Sequence, residues 1–323
     1  MSKDTQQTVL VTGGSGFVGG MVCRLLVQAG HNVINIDRRK KVIEGVTQYP
    51  FDIDNNQLKG VIALTKPDAV IHFAADHEVG RSVLEPHVFY KNNVANTIDL
   101  LNACIDTGVK NFIFSSSSSV YGDTLVFPTT EDLPMVPVSP YGRTKAMIET
   151  LLKDYASAYD FNFTSLRYFN AAGADPEGKH GYIQDPASHL IPIICRKALD
   201  KEVLVINGND YETVDGTCQR DYTHVFDIAT AHLSAMNYLF DGGKSTSFNI
   251  GAGDSKSILQ VVSAFELAND VTISYEFGNR REGDPAITYA DITKSKELLG
   301  WEPVYTIEDI CKHAFEWEKS QRK

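Results

Sequence analysis

The sequence predicts the α/β fold class, with a doubly wound parallel sheet followed by a smaller C-terminal mixed α/β domain. Short β-branched runs alternate with segments of helical period through the first half of the chain, and this alternation is typical of a parallel sheet covered by helices on both faces. A glycine-rich loop separates the first strand from the first helix. After residue 170 the chain changes to a loop rich in Gly, Asp and Pro.

The elements follow one another in a regular order. Strands are predicted at 8–12, 32–37, 69–75, 111–115 and 161–170, and helices at 22–31, 93–108 and 139–159. Beyond the loop 172–188 we expect a helix at 189–199, a strand at 203–207 and a helix at 226–239. We therefore expect one domain at 1–170, to which later segments return, and a second domain formed mainly by 171–323.

Composition and charge exclude several classes of protein. The chain has 323 residues and a net charge of -11, which argues against binding to nucleic acid or to anionic membranes. No apolar run reaches the roughly 20 residues of a membrane span, and the polar start MSKDTQQ is unlike a signal peptide. The five cysteines are scattered and form no CxxC pair or metal-ligand cluster, so we expect reduced thiols in the cytoplasm and no bound metal.

The loop TGGSGFVG, residues 12–19, carries the GxGxxG spacing at Gly14, Gly16 and Gly19, with Gly13 in addition. Between a strand and a helix, such glycines let backbone amides approach a pyrophosphate at the helix N-terminus. Asp37 closes the second predicted strand, where a carboxylate bonds the ribose of an adenosine. These features predict a Rossmann-type dinucleotide site.

The residues after Asp37 bear on the choice of dinucleotide. Arg38 and Arg39 follow it directly, and an arginine there can hold the 2′-phosphate of NADP. The carboxylate of Asp37 would repel that phosphate, so the sequence favours NAD. The alternative for both arginines is a solvated run of charge that continues into Lys40 and Lys41.

The segment YGRTK places Tyr141 and Lys145 four residues apart on a predicted helix, so phenol and ammonium share one face. A free tyrosine, with a pKa of about 10, is a poor base at neutral pH, and lowering that pKa by three units takes roughly 4 kcal/mol. One cation about 4 Å away supplies about that much at an effective dielectric constant near 20. Lys145 together with a positive nicotinamide would therefore activate Tyr141 as a base.

Several motifs together resemble a known family. The loop TGxxGxxG, a serine at a strand end and YxxxK are similar to the extended short-chain dehydrogenase/reductase superfamily. The segments YKNNV, SPYGRTK, RYFNAAGADPEG, NGNDYETVDGTCQRDYTHV and RREGD resemble the UDP-glucose 4-epimerase (UDP-galactose 4-epimerase) family, and the likeness runs from Thr8 to about Trp301. The resemblance implies interconversion of UDP-glucose and UDP-galactose through a transient 4-keto sugar, with tightly bound NAD.

The run FSSSSSVYG, residues 114–122, ends a predicted strand with five hydroxyls and no acid. Related nucleotide-sugar dehydratases carry an Asp and a Glu where this chain has Ser118 and Ser119, and they use both to remove water. Without those carboxylates, elimination is disfavoured. The family pattern makes Ser117 the partner of the reacting 4-hydroxyl, and the other serines are expected to bond the backbone or lie beside the cofactor.

The resemblance also implies two sets of binding residues. The cofactor set is Gly13, Gly16, Phe17, Val18, Gly19, Asp37, Asp52, Ile53, Phe73, Ala74, Ala75, Asn92, Ser115, Tyr141, Lys145 and Phe169. The substrate set is Ser117, Tyr141, Asn170, His189, Leu190, Val205, Ile206, Asn207, Arg220, Arg281, Asp284 and Thr288.

The substrate set has its expected roles from the same resemblance. Arg220 and Arg281 would clamp the diphosphate, because the planar fork of arginine bonds two oxygens at once, and Asp284 would bind the uridine ribose. The alternative for Arg220 is an ion pair with Asp221 or Asp215.

Four places depart from the best-known members of the family, and one of them is Arg81, which replaces an acidic residue. His189 stands where many members have Asn, and it either donates to a phosphate or is a satisfied core histidine. Asp76 and His77 replace a more basic pair. Thr288 replaces a bulky Tyr of some members, so we expect room for an N-acetyl group and turnover of UDP-GlcNAc and UDP-GalNAc, unless a neighbouring side chain fills the gap.

Other interpretations stay open. A nucleotide-sugar reductase or dehydrogenase would release its product and exchange its cofactor, and a UDP-glucuronate 4-epimerase would need a basic cluster that the sequence does not display. A regulatory NAD-binding protein of the same fold often lacks the tyrosine or the lysine, and both are present here. A homodimer formed through the helices at 93–108 and 139–159 is the habit of the family.

Overall fold

The computed structural model describes residues 6–280 and 285–322. The strands are β1 (Thr8–Thr12), β2 (Asn32–Ile36), β3 (Val46–Tyr49), β4 (Ala69–His72), β5 (Asn111–Ser117), β6 (Asn162–Tyr168), β7 (Asn170–Ala172), β8 (Leu204–Asn207), β9 (Gln219–Arg220), β10 (Tyr222–His224), β11 (Thr246–Ile250), β12 (Lys256–Ser257), β13 (Tyr275–Gly278) and β14 (Ile287–Thr288). The helices are α1 (Phe17–Gln28), α2 (Leu58–Thr65), α3 (Val79–Leu84), α4 (Pro86–Phe89), α5 (Asn96–Thr107), α6 (Pro140–Ala158), α7 (Leu190–Asp200), α8 (Val225–Phe240), α9 (Ile258–Asn269), α10 (Thr293–Leu299) and α11 (Ile307–Gln321). A π-helical turn, Tyr90–Ala95, precedes α5, and a short 3₁₀ turn, Ser118–Val120, follows β5.

The central layer is a parallel sheet with the strand order β11-β6-β5-β4-β1-β2-β3. Its strands pair in parallel throughout. The chain proceeds outward from β1 on one side through β2 and β3, and then on the other side through β4, β5, β6 and β11. The predicted doubly wound α/β fold is confirmed, and the reversal of strand order beside β1 is where such sheets bind ligands.

Two apolar layers cover the faces of this sheet. One contains buried side chains of α1 and α8, such as Leu26 and Met236, and the other contains those of α2, α5 and α6, such as Ile62 and Leu152. The strands are consequently buried on both faces, as a parallel sheet with helices on each side requires.

The second half of the chain forms a smaller region with its own apolar core. That core joins α7, α9 and α11 to β8 and includes Ile194, Phe265 and Phe315. Both β11 and α8 lie with the first sheet although they follow residue 170. The division at residue 170 stays a prediction.

Helix α6 begins where the sequence provides a cap and a proline. The hydroxyl of Ser139 accepts from the backbone N of Gly142 (3.1 Å), and Pro140 occupies the first helical position, where its missing N–H is not needed. Among the described residues, no helix is both long and apolar enough to cross a membrane.

Candidate active site

The carboxyl ends of the parallel strands open into one cleft of about 1220 Å³. The residues named from the sequence that line it are Gly13, Gly16, Phe17, Val18, Gly19, Asp37, Asp52, Ile53, Phe73, Ala74, Ala75, Asn92, Ser115, Ser117, Tyr141, Lys145, Phe169, Asn170, His189, Leu190, Val205, Ile206, Asn207, Arg220 and Thr288. Arg281 and Asp284 lie outside the described residues. The structure brings the other candidates together, and their binding roles stay predictions.

The glycine loop between β1 and α1 is too crowded for side chains. A Cβ on Gly13, whose φ is +75°, would lie 2.6 Å from the backbone N of Ala74, and one on Gly19 would lie 2.5 Å from the carbonyl oxygen of Gly13. Gly16 is the N-cap of α1, and no side chain caps it. The loop therefore leaves the first amides of the helix as donors for an anion, which fits the pyrophosphate of a dinucleotide.

Asp37 follows β2 and holds this loop. Its carboxylate accepts from the backbone N of Ser15 (2.9 Å) and of Arg39 (2.8 Å). The guanidinium of Arg38 lies 3.7 Å from the carboxylate of Asp52. An arginine that already faces a carboxylate is a poor site for a 2′-phosphate, which agrees with the preference for NAD.

The serine run is the end of β5, and it is fastened to α6. The Nζ of Lys145 donates to the carbonyl oxygen of Ser115 over 2.7 Å, and Ser117, two residues further along the chain, lines the same cleft as Tyr141 and is close enough to oppose the rise in its pKa. Phenol, ammonium and serine hydroxyl therefore meet at one strand end, and a substrate hydroxyl that enters the cleft there would reach a base and a hydrogen-bond partner together.

The neighbouring serines have structural partners. Ser116 is fully buried and donates to the carboxylate of Glu149 over 2.6 Å. The hydroxyl of Ser117 accepts from the backbone N of Ser119 (3.2 Å) and so caps the 3₁₀ turn after the strand. Ser116 therefore bonds a buried carboxylate rather than the backbone, which differs from the expectation. Ser115, Ser118 and Ser119 line the cleft, and their place beside the cofactor stays a prediction.

Burial sets the charge of the catalytic pair. Burial raises the pKa of Tyr141 to about 12, against the hydrogen bond from Ser117, and it lowers the pKa of Lys145 to about 7, against the carboxylate of Glu149. The sequence argument weighed only the attraction between phenolate and ammonium, whereas removal of both groups from water acts in the opposite direction. Activation of Tyr141 therefore needs more positive charge than the chain supplies, and a bound nicotinamide ring would add it.

The far side of the cleft is built from two small sheets. Strand β8 pairs in parallel with β13, and β9 pairs in parallel with β14, so that Thr288 stands opposite Arg220. The carboxylate of Asp221 accepts from the backbone N of Ala252 (2.7 Å) and of Ala290 (3.1 Å). The hydroxyl of Thr223 also donates to Asp221 (3.2 Å). These bonds occupy the carboxylate, which argues against an ion pair with Arg220 as its structural role.

Thr288 faces the cleft more directly than its neighbours do. The described lining residues of this segment are Pro285 and Thr288, without Ile287 or Tyr289. The ring of Tyr289 instead stacks on Phe127, with centroids 6.1 Å apart. Neither neighbour therefore fills the space that a threonine leaves.

His189 is the N-cap residue of α7, and its ring is stacked with that of His77 at a centroid distance of 6.3 Å. Both rings line the cleft. Burial lowers the pKa of each histidine. His189 is thus a cleft residue rather than a core residue.

Tyr168 also lines the cleft, and the sequence analysis did not include it. Its hydroxyl is hydrogen-bonded to the hydroxyl of Ser115. A signal was present, because Tyr168 ends β6 immediately before the candidate Phe169, and the carboxyl ends of parallel strands carry ligand sites.

Comparison with known proteins gives consistent results. The profile of the NAD dependent epimerase/dehydratase family matches residues 9–251. A protein of Halalkalibacterium halodurans named UDP-glucose 4-epimerase is 42% identical over 318 residues, which cover 96% of this chain and 95% of that protein.

Solved structures agree over the whole fold. A UDP-glucose-4-epimerase from Stenotrophomonas maltophila, with bound NAD and formylated UDP-arabinopyranose, matches with a TM-score of 0.95 and 34% identity, over 98% of this chain and 99% of that one. The UDP-Glc/GlcNAc 4-epimerase of Campylobacter jejuni matches with a TM-score of 0.85 and 37% identity, over 97% of this chain and 99% of that one.

Proposed function

The chain belongs to the NAD dependent epimerase/dehydratase family, and on that premise we propose that it is a UDP-glucose 4-epimerase that interconverts UDP-glucose and UDP-galactose with NAD. The observation that carries the proposal is the meeting of Tyr141, Lys145 and Ser117 in a cleft that also contains a glycine loop suited to a dinucleotide. A tyrosine, a lysine and a serine beside a dinucleotide site support oxidation and reduction at a carbon that carries a hydroxyl group.

Each catalytic side chain has a defined task. Tyr141 takes the proton from the 4-hydroxyl, Ser117 hydrogen-bonds the same oxygen, and the ammonium of Lys145 stabilises the phenolate. The chemistry that NAD supplies when bound is acceptance of the C4 hydride and its return to the other face of the 4-keto sugar. Tyr141 finally returns its proton to O4, so the reaction consumes neither protons nor electrons.

The serine run explains why the 4-keto sugar keeps its oxygen atoms. Residues 118 and 119 are serines and therefore provide no carboxylate beside the strand end. Removal of water beside the ketone needs an acid and a base. The site is therefore suited to oxidation and reduction without elimination.

The test uses protein purified without added NAD. UDP-glucose and UDP-galactose are supplied separately, and the anomeric proton of each is followed by NMR. We expect interconversion in both directions without added NAD, because the cofactor is regenerated in each turnover and stays bound. Turnover that requires stoichiometric cofactor would favour a reductase, and no interconversion even with added NAD would contradict the proposal.

We also propose that the N-acetylated pair UDP-GlcNAc and UDP-GalNAc is accepted. Support comes from Thr288, which lines the cleft opposite Arg220, while the ring of Tyr289 packs away on Phe127. The structural neighbour from Campylobacter jejuni is named as acting on both kinds of sugar.

A homodimer through α5 and α6 is the assembly that we propose. Support comes from apolar side chains on and beside α6: Met147 on this helix is 44% exposed, and Val83 and Leu84 on the adjacent α3 are 62% and 82% exposed. Exposed apolar patches mark interaction surfaces. Light scattering should give twice 35.7 kDa, and a monomer would contradict the proposal.

We propose the cytoplasm as the compartment. All five cysteines are buried and free, and free thiols are the rule where the environment is reducing. Fractionation of the native cell with an antibody against this chain tests the assignment, and recovery with secreted proteins would contradict it.

A further inference from the structure

A buried carboxylate lies one helical turn beyond the catalytic lysine. Glu149 follows Lys145 by four residues on α6, so the two side chains share a helix face. Glu149 is completely buried. The hydroxyl of Ser116 donates to it over 2.6 Å. Ser116 lies between Ser115, which accepts from Lys145, and Ser117, the candidate partner of the substrate hydroxyl. One carboxylate thus contacts the strand end on which both of these serines lie.

This carboxylate is held firmly by other groups. The guanidinium of Arg167 donates to it through Nε (2.9 Å) and Nη2 (2.5 Å), and the hydroxyl of Ser247 donates over 3.0 Å. Arg167 is itself bonded to the hydroxyl of Tyr121 (2.8 Å). At this buried position the charges are less screened than at the surface, so a fixed carboxylate acts on nearby groups more strongly.

The other groups of β4, β5 and α6 that contact Lys145 are uncharged, although the faces of two aromatic rings attract its charge. Its Nζ lies 4.8 Å from the centre of the Phe114 ring and 5.8 Å from that of Tyr141, and its hydrogen-bond acceptor is the neutral carbonyl of Ser115. His72 of β4 is neutral, because burial lowers its pKa to about 3.

Strand β6 adds no anion to these surroundings, and the carboxylate of Asp76 in the loop after β4 faces the guanidinium groups of Arg38 and Arg81 (3.7 and 3.6 Å). Burial keeps the phenol of Tyr168 protonated by raising its pKa, Arg167 is a cation, and burial lowers the pKa of His77. Within the part of the chain that the structure describes, Glu149 is the carboxylate that raises the pKa of Lys145 against its burial.

We propose that Glu149 is a positioning residue of the catalytic site, which holds Lys145 in its ammonium form and fixes the strand end of Ser117 through Ser116. The inference rests on the proposed role of Tyr141 and Lys145 as the catalytic pair. Burial alone drives Lys145 towards a neutral amine, which has no charge to stabilise a phenolate, and the carboxylate opposes that change.

The test is an NMR titration of Lys145 in the protein as purified, with its ¹³Cε resonance assigned by its loss in Lys145→Arg. In Glu149→Gln we expect the midpoint to fall by about one pH unit or more, as for loss of a nearby opposite charge. Ser116→Ala is the matched control, because it removes one bond but keeps the carboxylate, and its midpoint should stay at the wild-type value. An unchanged midpoint in Glu149→Gln overturns the inference.

A second variant allows for a failure to fold. Glu149→Gln leaves Arg167 buried without its carboxylate, which is costly, whereas Glu149→Gln combined with Arg167→Gln removes both charges. The midpoint should fall in the double variant as well, by less because a nearby cation is also lost, and an unmoved midpoint there counts against the inference.

The dependence of kcat on pH separates this inference from the proposed function. In Glu149→Gln the alkaline limb of kcat should move to lower pH together with the NMR midpoint, whereas a purely structural defect would lower kcat equally at every pH. A wild-type protein without epimerase activity contradicts the proposed function, and an unmoved midpoint for Lys145 contradicts only the inference.

Discussion

The Nζ of Lys145 lies 2.7 Å from the carbonyl oxygen of Ser115, and this bond joins the middle of α6 to the end of β5. It places an ammonium where the strand would otherwise end in neutral hydroxyls. Burial nevertheless lowers the pKa of Lys145 to about 7. Burial therefore disfavours the ammonium form of Lys145, which the proposed reaction needs. Groups that lower stability but serve function are common at active sites.

Replacement of Tyr141 with Phe should abolish most activity and preserve the fold. The ring that fills the site remains, but the hydroxyl that we propose as the base is lost, so we expect kcat to fall by roughly 10³-fold. The measurement is the rate of UDP-galactose conversion followed by anomeric-proton NMR, with the NAD content of the purified variant as its control. A kcat within tenfold of wild type would show that another group acts as the base.

Replacement of Lys145 with Met should inactivate the protein and make its cofactor-free form more stable. At pH 6 the folded chain holds a buried ammonium, whereas the Met variant buries an apolar chain of similar length. We expect a gain of about 1 kcal/mol in the free energy of unfolding, measured in urea. Lys153→Met, at an exposed position of the same helix, is the control and should leave stability nearly unchanged.

The gain in the free energy of unfolding of Lys145→Met should depend on pH, and the pKa shift of Lys145 fixes the direction of that dependence. The pKa of Lys145 falls from 10.5 to about 7 on folding, so between these values the unfolded chain binds a proton that the folded chain does not, and wild-type stability rises with pH. The advantage of the variant is therefore complete below pH 7 and is lost before pH reaches 10.5, because a pKa shift of this size changes wild-type stability by more than about 1 kcal/mol. An advantage that grows over this range would contradict the buried charge.

Much of the fold followed from local sequence. Strand β1 was predicted at its observed bounds, and the alternation of strands and helices gave the doubly wound sheet. The pattern missed β3 and α2, which are only 4 and 8 residues long. It also missed β11, which returns to the first sheet from beyond residue 170. The pairing of a strand that is distant in sequence depends on tertiary packing, which local sequence patterns do not predict.

The site was accessible to motif reasoning, and its electrostatics were not. The glycine loop and the YxxxK spacing named residues that line one cleft, among them Gly16, Gly19, Tyr141 and Lys145. Spacing cannot report burial, and burial raises the pKa of Tyr141 to about 12 and lowers that of Lys145 to about 7. The bond between Ser116 and Glu149 was likewise invisible, because the two residues are 33 positions apart.

Alanine at Gly19 should reduce retention of the cofactor. Its Cβ would lie 2.5 Å from the carbonyl oxygen of Gly13, so the loop must shift away from the position in which its amides face the cleft. We expect the NAD content of the purified protein to fall by about tenfold, the effect of roughly 1.4 kcal/mol, as measured after acid release.

A matched glycine separates this effect from helix propensity. Gly60 lies in α2, and a Cβ there would meet nothing within 4 Å. Gly60→Ala should keep its NAD and raise the free energy of unfolding by up to about 1 kcal/mol. Equal NAD content in both alanine variants would show that the loop tolerates a side chain.

Enlargement of Thr288 should restrict the choice of sugar. In Thr288→Tyr, a ring would occupy the space opposite Arg220, so we expect kcat/KM for UDP-GalNAc to fall by at least about tenfold, since steric exclusion of a small group is worth roughly 1–3 kcal/mol. Turnover of UDP-galactose should be equal to or better than that of wild type. Thr288→Ser, which keeps the pocket open, should retain both activities. Unchanged turnover of UDP-GalNAc in Thr288→Tyr would mean that the N-acetyl group lies elsewhere in the cleft.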